Sequence, residues 1–173
     1  GTCVGSTFTV TVTVSPKPTI ANKTVSACSG TGFTVTPSNG GGDIVPSGTT
    51  YAWSALPVVT GGLTGGATAS LQSSISGTLT NPTNIAQTAT YTVTPTSGSC
   101  TGATFTVVAT INPKPVVPNQ TATICSGTAF TTSPTNNAPT TIIPTGTTYT
   151  WTVAPNASVT GESDQGVGQS SIS

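Results

Sequence analysis

Charge is the scarcest property of this 173-residue sequence, which contains no histidine, no methionine and no arginine. Its charged side chains are Lys17, Lys23, Lys114, Asp43, Glu162 and Asp164. So few basic residues cannot neutralise a phosphate backbone, which excludes nucleic acid as a partner. With three scattered acids and no histidine, the sequence offers no general base, no activated nucleophile and no oxygen cage for calcium. We therefore expect no enzymatic activity, no metal and no cofactor.

Long hydrophobic runs are also missing. No stretch approaches the roughly 20 apolar residues of a membrane-spanning helix, so we expect no membrane insertion in this segment. The first residues lack the basic and apolar regions of a signal peptide. We therefore expect Gly1 to begin a fragment or a mature module.

Threonine and valine dominate what is present. Residues 7–14 alternate strictly between threonine and an apolar residue, which is typical of a half-buried β-strand. Similar alternation recurs at 71–79, 91–94 and 104–111, whereas no stretch repeats with the period of about 3.6 residues of an amphipathic helix. The sequence therefore predicts an all-β fold whose outer faces carry hydroxyl groups instead of charges.

Two nearly identical stretches, residues 48–53 and 146–151, read Gly-Thr-Thr-Tyr-x-Trp. In each stretch the tyrosine and the tryptophan lie two residues apart, and so on the same face of a strand. Aromatic side chains bury a large apolar area, so we interpret them as core residues and not as a platform for a ligand. The predicted core anchors are Tyr51, Trp53, Tyr91, Phe105, Tyr149 and Trp151.

The whole sequence repeats with a period of about 97 residues, the size of one immunoglobulin-like β-sandwich. At this offset, for example, Phe8 matches Phe105. We predict that residues 1–14, the leading segment, are the last strand of a preceding repeat. Residues 15–111, the central module, are predicted to be one complete sandwich. Residues 112–173, the trailing segment, are predicted to be the truncated first part of the following repeat.

Two Pro-Lys-Pro stretches lie where the predicted units meet. Proline cannot donate to a sheet and keeps its predecessor extended, so these stretches predict short, stiff links between modules. The predicted linker residues are Pro16, Lys17, Pro18, Pro113, Lys114 and Pro115. We accordingly expect the neighbouring repeats of the same chain to be partners of the central module.

Several motifs together resemble a known family. They are Cys-Ser-Gly, Gly-Thr-Thr-Tyr-x-Trp, Thr-Tyr-Thr-Val-Thr-Pro, Gly-Ser-Cys-Thr-Gly-x-x-Phe-Thr-Val and Asn-Pro-Lys-Pro. This combination, which covers the whole chain, is similar to the PKD-like, immunoglobulin-type tandem repeats of very large secreted surface proteins of Bacteroidota. The resemblance implies export to the cell surface, in adhesins, surface fibres or gliding-associated filaments. One departure is that Ser54, Ala55 and Leu56 replace the Asp- and Gly-rich turn that follows the tryptophan in PKD repeats, which argues against a calcium site.

The cysteines recur at the repeat period, without the histidines and close spacing of a zinc site. In a protein exported as the resemblance implies, Cys3, Cys28, Cys100 and Cys125 are candidates for disulfides. A bond between Cys28 and Cys100 would close the central module on itself. An immunoglobulin topology instead separates these two residues by about 25 Å, whereas a disulfide needs Cα atoms within about 7 Å. The alternative is a bond from Cys28 to the hairpin cysteine of the following repeat, and the sequence leaves both pairings open.

The sequence therefore predicts tandem immunoglobulin- or PKD-like β-sandwiches that form the extracellular stalk or filament shaft of an adhesin and carry extension and mechanical load. An alternative is a carbohydrate-binding or spacer module of a secreted hydrolase, which exposed coplanar aromatic residues would favour. A further alternative is a filament subunit that associates laterally or end to end, because a nearly neutral surface permits self-association.

Overall fold

The chain folds into β-strands and turns. The structure is a computed structural model that describes residues 1–54 and 58–173. Within these ranges there is no helix, and so none that could cross a membrane. The strands are β1 (Lys23–Cys28), β2 (Gly32–Val35), β3 (Thr50–Trp53), β4 (Val58–Val59), β5 (Thr64–Gly65), β6 (Ala69–Gln72), β7 (Ile75–Thr80), β8 (Gln87–Ser97), β9 (Cys100–Thr101), β10 (Phe105–Asn112), β11 (Tyr149–Trp151) and β12 (Gln165–Gln169).

The central module is a sandwich of two sheets. The larger sheet has the order β1-β10-β8-β3-β6, with β4 and β9 also paired to β8. The smaller sheet has the order β2-β7-β5. The predicted all-β sandwich is thus confirmed, whereas the period of about 97 residues stays a prediction.

Strict alternation along β8 and β10 supplies the centre of the core. Ala89, Tyr91 and Val93 of β8 point inward and are buried, while the threonines between them are partly exposed. In β10 the buried residues are Phe105, Val107, Ala109 and Ile111. Because successive side chains of a strand point to opposite faces, the threonine-rich pattern creates one apolar and one hydroxyl-covered face.

The first and last strands of the central module are neighbours. β1 runs parallel to β10 in a register from Lys23 opposite Val107 to Cys28 opposite Asn112. All other strand pairs are antiparallel within the described residues. The core cluster lies entirely between Ile20 and Ile111, so this module contains its own hydrophobic core.

One stretch of the sandwich differs from its sequence-based description. The alternating run at 71–79 is not one strand: β6 belongs to the larger sheet and β7 to the smaller, with a bend at Ser73 and Ser74 between them. The chain thus changes sheet where the sequence pattern is unbroken: β7 buries Ile75 and Leu79, whereas Leu71 of β6 is 80% exposed. Ala55 and Leu56, which replace the expected turn after the tryptophan, lie outside the described residues.

The leading segment forms no strand in this structure. Its apolar side chains are exposed, with Phe8 at 87% and Val14 at 86% of their full accessibility. The sequence predicts that residues 1–14 are the last strand of a preceding repeat, and no strand among the described residues pairs with them. The role of residues 1–14 as such a strand therefore stays a prediction.

The trailing segment reproduces several contacts of the central module. Tyr149 opposite Gln169 and Trp151 opposite Gln165 repeat the pairing of β3 with β6. Its apolar side chains are less buried than those of the central module: Ile142 is buried, but Ile124 is 51% exposed. Among the described residues, no strand corresponding to β8 or β10 covers this segment. Its assignment as a truncated repeat agrees with these contacts and stays a prediction.

Candidate functional site

The two ends of the central module hold half of the predicted site residues. At the first end, the chain enters along the hairpin of β8 and β9. Pro18 is fully buried there, whereas Pro16 and Lys17 are exposed. The predicted linker therefore includes one residue that belongs to the module, and the free link is shorter than the sequence indicated.

Gly102 explains how Pro18 becomes buried. Its backbone N–H donates to the carbonyl of Pro95 at 2.8 Å. A Cβ at position 102 would lie 2.4 Å from the carbonyl oxygen of Pro18 and 2.8 Å from Cγ of Pro95. Real Cβ atoms do not approach so closely, so only glycine lets the hairpin lie against the incoming chain.

Cys100 sits on the same hairpin, at the same end. It is opposite Ser97 in the β8–β9 pair, and its Sγ lies 4.0 Å from the carbonyl oxygen of Ser15. The thiol is partly exposed. The hairpin cysteine is thus in contact with the residue through which the chain enters the module.

The second end is tied together by Asn81, which is 1% exposed. Its Nδ2 donates to the carbonyls of Ile85 and Ile111, and its Oδ1 accepts from the backbone and the hydroxyl of Thr83. Its own backbone N–H donates to Oγ of Ser29 at 2.9 Å. One buried amide therefore joins the loop after β7, the end of β10 and the turn after β1, with all its hydrogen-bonding groups satisfied.

Cys28 lies at this second end, on the exposed face of β1. Its register partner is Asn112, and the N–H of the following residue, Ser29, donates to the Asn112 carbonyl at 2.8 Å. The side chain of Asn112 in turn donates to Oγ of Ser26 at 3.1 Å. Cys28 is thus beside the residue through which the chain leaves the module.

The structure therefore separates Cys28 from Cys100. The strand from Phe105 to Asn112 alone spans about 23 Å at ~3.3 Å per residue, and Cys100 lies beyond its first residue. A disulfide requires Cα atoms within about 7 Å, so this fold does not allow a bond between the two within one module. All four cysteines are free thiols in the structure, and disulfide formation stays a prediction.

The predicted aromatic anchors of the central module all lie in its core. Tyr51, Trp53, Tyr91 and Phe105 are each less than a tenth exposed. The rings of Tyr51 and Phe105 meet edge to face with centroids 6.2 Å apart, and Nε1 of Trp53 donates to the Ala67 carbonyl at 3.0 Å. Burial removes their faces from contact with a ligand.

The equivalent anchors of the trailing segment, Tyr149 and Trp151, are only half-buried. Nε1 of Trp151 donates to the Ser163 carbonyl at 3.2 Å, as Trp53 does to Ala67. Of its linker residues, Pro113 is half-buried, whereas Lys114 and Pro115 are exposed. Pro115 corresponds to the buried Pro18, and no hairpin lies against it in the described chain.

An ion pair fixes the start of β1. Asp43 is 7% exposed; its Oδ1 accepts from the N–H of Ala21 at 2.9 Å and its Oδ2 from Nζ of Lys23 at 2.5 Å. The hydrogen bond from Ala21, followed by that from Lys23, holds the pKa of Asp43 below its usual value. The ionised carboxylate therefore links the loop before β3 to the first strand.

Burial also affects the two core tyrosines. It raises the pKa of Tyr51 and of Tyr91 above the usual value for a phenol. Within the described part of the chain, neither hydroxyl has a hydrogen-bond partner. Across the same residues, no group of three or more histidine, cysteine or acidic side chains is close enough to hold a metal ion.

Sequence reasoning did not identify Asn81, Gly102 or Asp43 as structural ties. Asn81 had a usable signal, because Asn-Pro-Thr directly after a strand favours a turn in which the asparagine side chain accepts from the residue two positions on. The sequence gives no such signal for Gly102 or Asp43, because their partners are remote in sequence: Gly102 contacts Pro18, and Asp43 accepts from Ala21.

Comparison with known proteins identifies the family. Searches of curated proteins and of solved structures found no match. The family described as PKD-like domain matches residues 25–115 and again residues 122–173. The first match contains every strand of the sandwich except the first two residues of β1. Since the two matches together cover most of the sequence, the chain belongs to the PKD-like domain family.

Proposed function

We propose that the central module is a non-catalytic structural unit that transmits mechanical load along the stalk or filament shaft of an extracellular adhesin. PKD-like domains are typically extracellular and generally non-catalytic. The finer assignment, to very large surface proteins such as those of Bacteroidota, rests on the motif resemblance. The partners in this proposal are neighbouring repeats of the same chain and, in a filament, other copies.

The observation that carries the proposal is the parallel pairing of β1 with β10. The chain enters the module before Lys23 and leaves it after Asn112, at opposite ends of this strand pair. Tension on the two ends therefore pulls parallel strands past each other along their common axis. All the hydrogen bonds of the pair resist this shear together, whereas strands pulled apart from one end separate one bond at a time.

Side-chain hydrogen bonds extend this strand pair at both ends. The Thr106 N–H donates to Oδ1 of Asn22 at 2.9 Å, just before β1 begins. At the other end, Nδ2 of Asn112 donates to Oγ of Ser26. Both bonds cross between the first and last strands, so they add to the resistance against sliding.

The test is single-molecule force spectroscopy with two attachment geometries. In the first, handles are attached at positions 15 and 112, which shears β1 against β10. In the second, they are attached at Cys28 and position 112, which lie side by side, so the same strands peel apart. Cys3, Cys100 and Cys125 are replaced by serine in both, so that disulfides play no part. We expect a several-fold higher unfolding force in shear; equal forces in the two geometries would overturn the proposed role.

A further inference from the structure

We propose that Cys28 of one repeat forms a disulfide with the hairpin cysteine of the repeat that follows it, the equivalent of Cys100. The proposal deepens the function above and rests on its tandem, extracellular arrangement. It assigns a covalent modification site to each junction between modules. The thiols in question are the ones that this fold places at opposite ends of a single module.

The second end of one module and the first end of the next module meet at one residue, Asn112. The hairpin thiol of the central module lies 4.0 Å from the carbonyl oxygen of Ser15. Ser15 and Asn112 occupy equivalent positions, each directly before Pro-Lys-Pro. In a following complete repeat, the hairpin thiol therefore approaches the carbonyl oxygen of Asn112. That same oxygen already accepts the N–H of Ser29, the residue after Cys28.

Two distances bring the two cysteines to the same junction between modules. The Asn112 carbonyl oxygen is 2.8 Å from the nitrogen of Ser29 and, by the repeat, 4.0 Å from the next hairpin thiol. The thiol is then at most about 7 Å from the backbone nitrogen of Ser29, the residue that directly follows Cys28. Cys28 is exposed on the same side of the sheet as its register partner Asn112, so its side chain is accessible.

The junction also has the rigidity that such a bond requires. Pro18 is buried against the hairpin at Gly102, so its equivalent Pro115 is expected to be held in the same way by a complete following repeat. Only Pro113 and Lys114 then separate β10 from the next module. So short a link keeps the two thiols at an effective concentration of roughly mM.

Bond formation requires an oxidant, and thiol–disulfide exchange with a disulfide-bearing oxidoreductase or with glutathione disulfide supplies it. The Cys28 thiolate attacks the donor disulfide and releases one donor thiolate. The hairpin thiolate of the next repeat then attacks the mixed disulfide and releases the second donor thiolate. Two protein thiols are oxidised and one donor disulfide is reduced to two thiols.

The test uses a two-module chain, residues 15–115 joined to a second copy of residues 19–111, which preserves the natural link. This is appropriate because the core cluster of each copy lies within residues 20–111. The test variant keeps Cys28 in the first copy and Cys100 in the second, with the other cysteines replaced by serine. One control keeps Cys100 in the first copy and Cys28 in the second; another keeps both in the first copy.

After equilibration with a glutathione redox buffer at micromolar protein, free thiols are counted and chymotryptic peptides are mapped without reduction. We expect the test variant to lose both thiols as a monomer, with residues 15–33 of the first copy joined to residues 92–105 of the second. Both controls should keep their thiols, although all three variants contain the same number of cysteines. Persistent thiols in the test variant, or oxidation of the control with both cysteines in one copy, would overturn the proposed disulfide between repeats. Neither result affects the pulling experiment, because Cys3, Cys100 and Cys125 are replaced there and Cys28 has no native cysteine partner in either geometry.

Discussion

Replacing Gly102 with alanine tests whether the incoming chain is clamped under the β8–β9 hairpin. The new methyl group would lie 2.4 Å from the Pro18 carbonyl oxygen and 2.8 Å from Pro95 Cγ. Neither neighbour can move freely, because one is backbone and the other is a ring in a paired strand. Overpacking of this kind costs about 1–3 kcal/mol of the free energy of unfolding. For a domain of this size each kcal/mol lowers Tm by roughly 4–8 °C.

Gly32→Ala is the matched control. Gly32 also has an ordinary φ, and a Cβ there would meet only Thr78 Oγ1 at 3.5 Å and the Gly77 carbonyl oxygen at 3.8 Å. We expect its stability to equal or slightly exceed that of the unmodified chain, since alanine reduces the entropy of the unfolded state.

Urea unfolding and amide hydrogen exchange at position 102 provide the two measurements. In the Gly102→Ala variant we expect a lower urea midpoint and faster exchange of the amide that donates to Pro95. An unchanged midpoint together with unchanged exchange would refute the clamp. Destabilisation of the Gly32→Ala control by the same amount would show instead that the loss of any glycine explains the effect.

Two further substitutions address the other ties in the module. Asn81→Ala removes the amide that bonds to Ile111 and leaves the Ile111 carbonyl without this donor, so we expect the free energy of unfolding in urea to fall by about 1–3 kcal/mol. An unchanged urea midpoint would contradict the role of Asn81 in joining the second end of the module. The pKa of Asp43 is lower in the folded state than its unfolded-state value of about 4, so the ionised carboxylate stabilises the fold. This stabilisation is complete above the unfolded-state pKa and is lost as the pH falls through the folded-state pKa. Asp43→Asn retains an acceptor for the N–H of Ala21. This variant should therefore be less stable than the unmodified chain at pH 7 but equally stable near pH 2. A difference in stability that does not change with pH would exclude the ionised carboxylate as the cause of that difference.

Local pattern was sufficient for β3 and β10 and for the faces that these strands bury. The alternation at 104–111 predicts β10 and its inward residues, and the Tyr-x-Trp spacing indicates that Tyr51 and Trp53 share a buried face. These features depend on side-chain period alone, which the sequence displays directly. By contrast, the division of the run at 71–79 between two sheets depends on which partner strand each half meets.

The ties at the module ends could not be predicted in the same way. Pairing of β1 with β10 joins residues about 84 positions apart, and no local preference selects a parallel partner at that separation. The contact of Gly102 with Pro18 likewise joins residues that are far apart in sequence, and no local pattern predicts it. An immunoglobulin topology by itself places Cys28 and Cys100 at opposite ends of the sandwich. The length of β10 and its register with β1 then show how far apart the two cysteines are.

The placement of the two cysteines also determines how far a stapled array can lengthen. Each module is then attached at four points: Ser15 and Cys100 at one end, Cys28 and Asn112 at the other. The shortest covalent path runs from Ser15 to Cys28 in one module and from the hairpin cysteine to the equivalent of Asn112 in the next. Each path is about a dozen residues, or ~40 Å when extended, compared with ~330 Å for a whole unfolded repeat. Tension would bypass the rest of an unfolded module, so the contour length of the fibre would stay nearly constant whether its modules are folded or not.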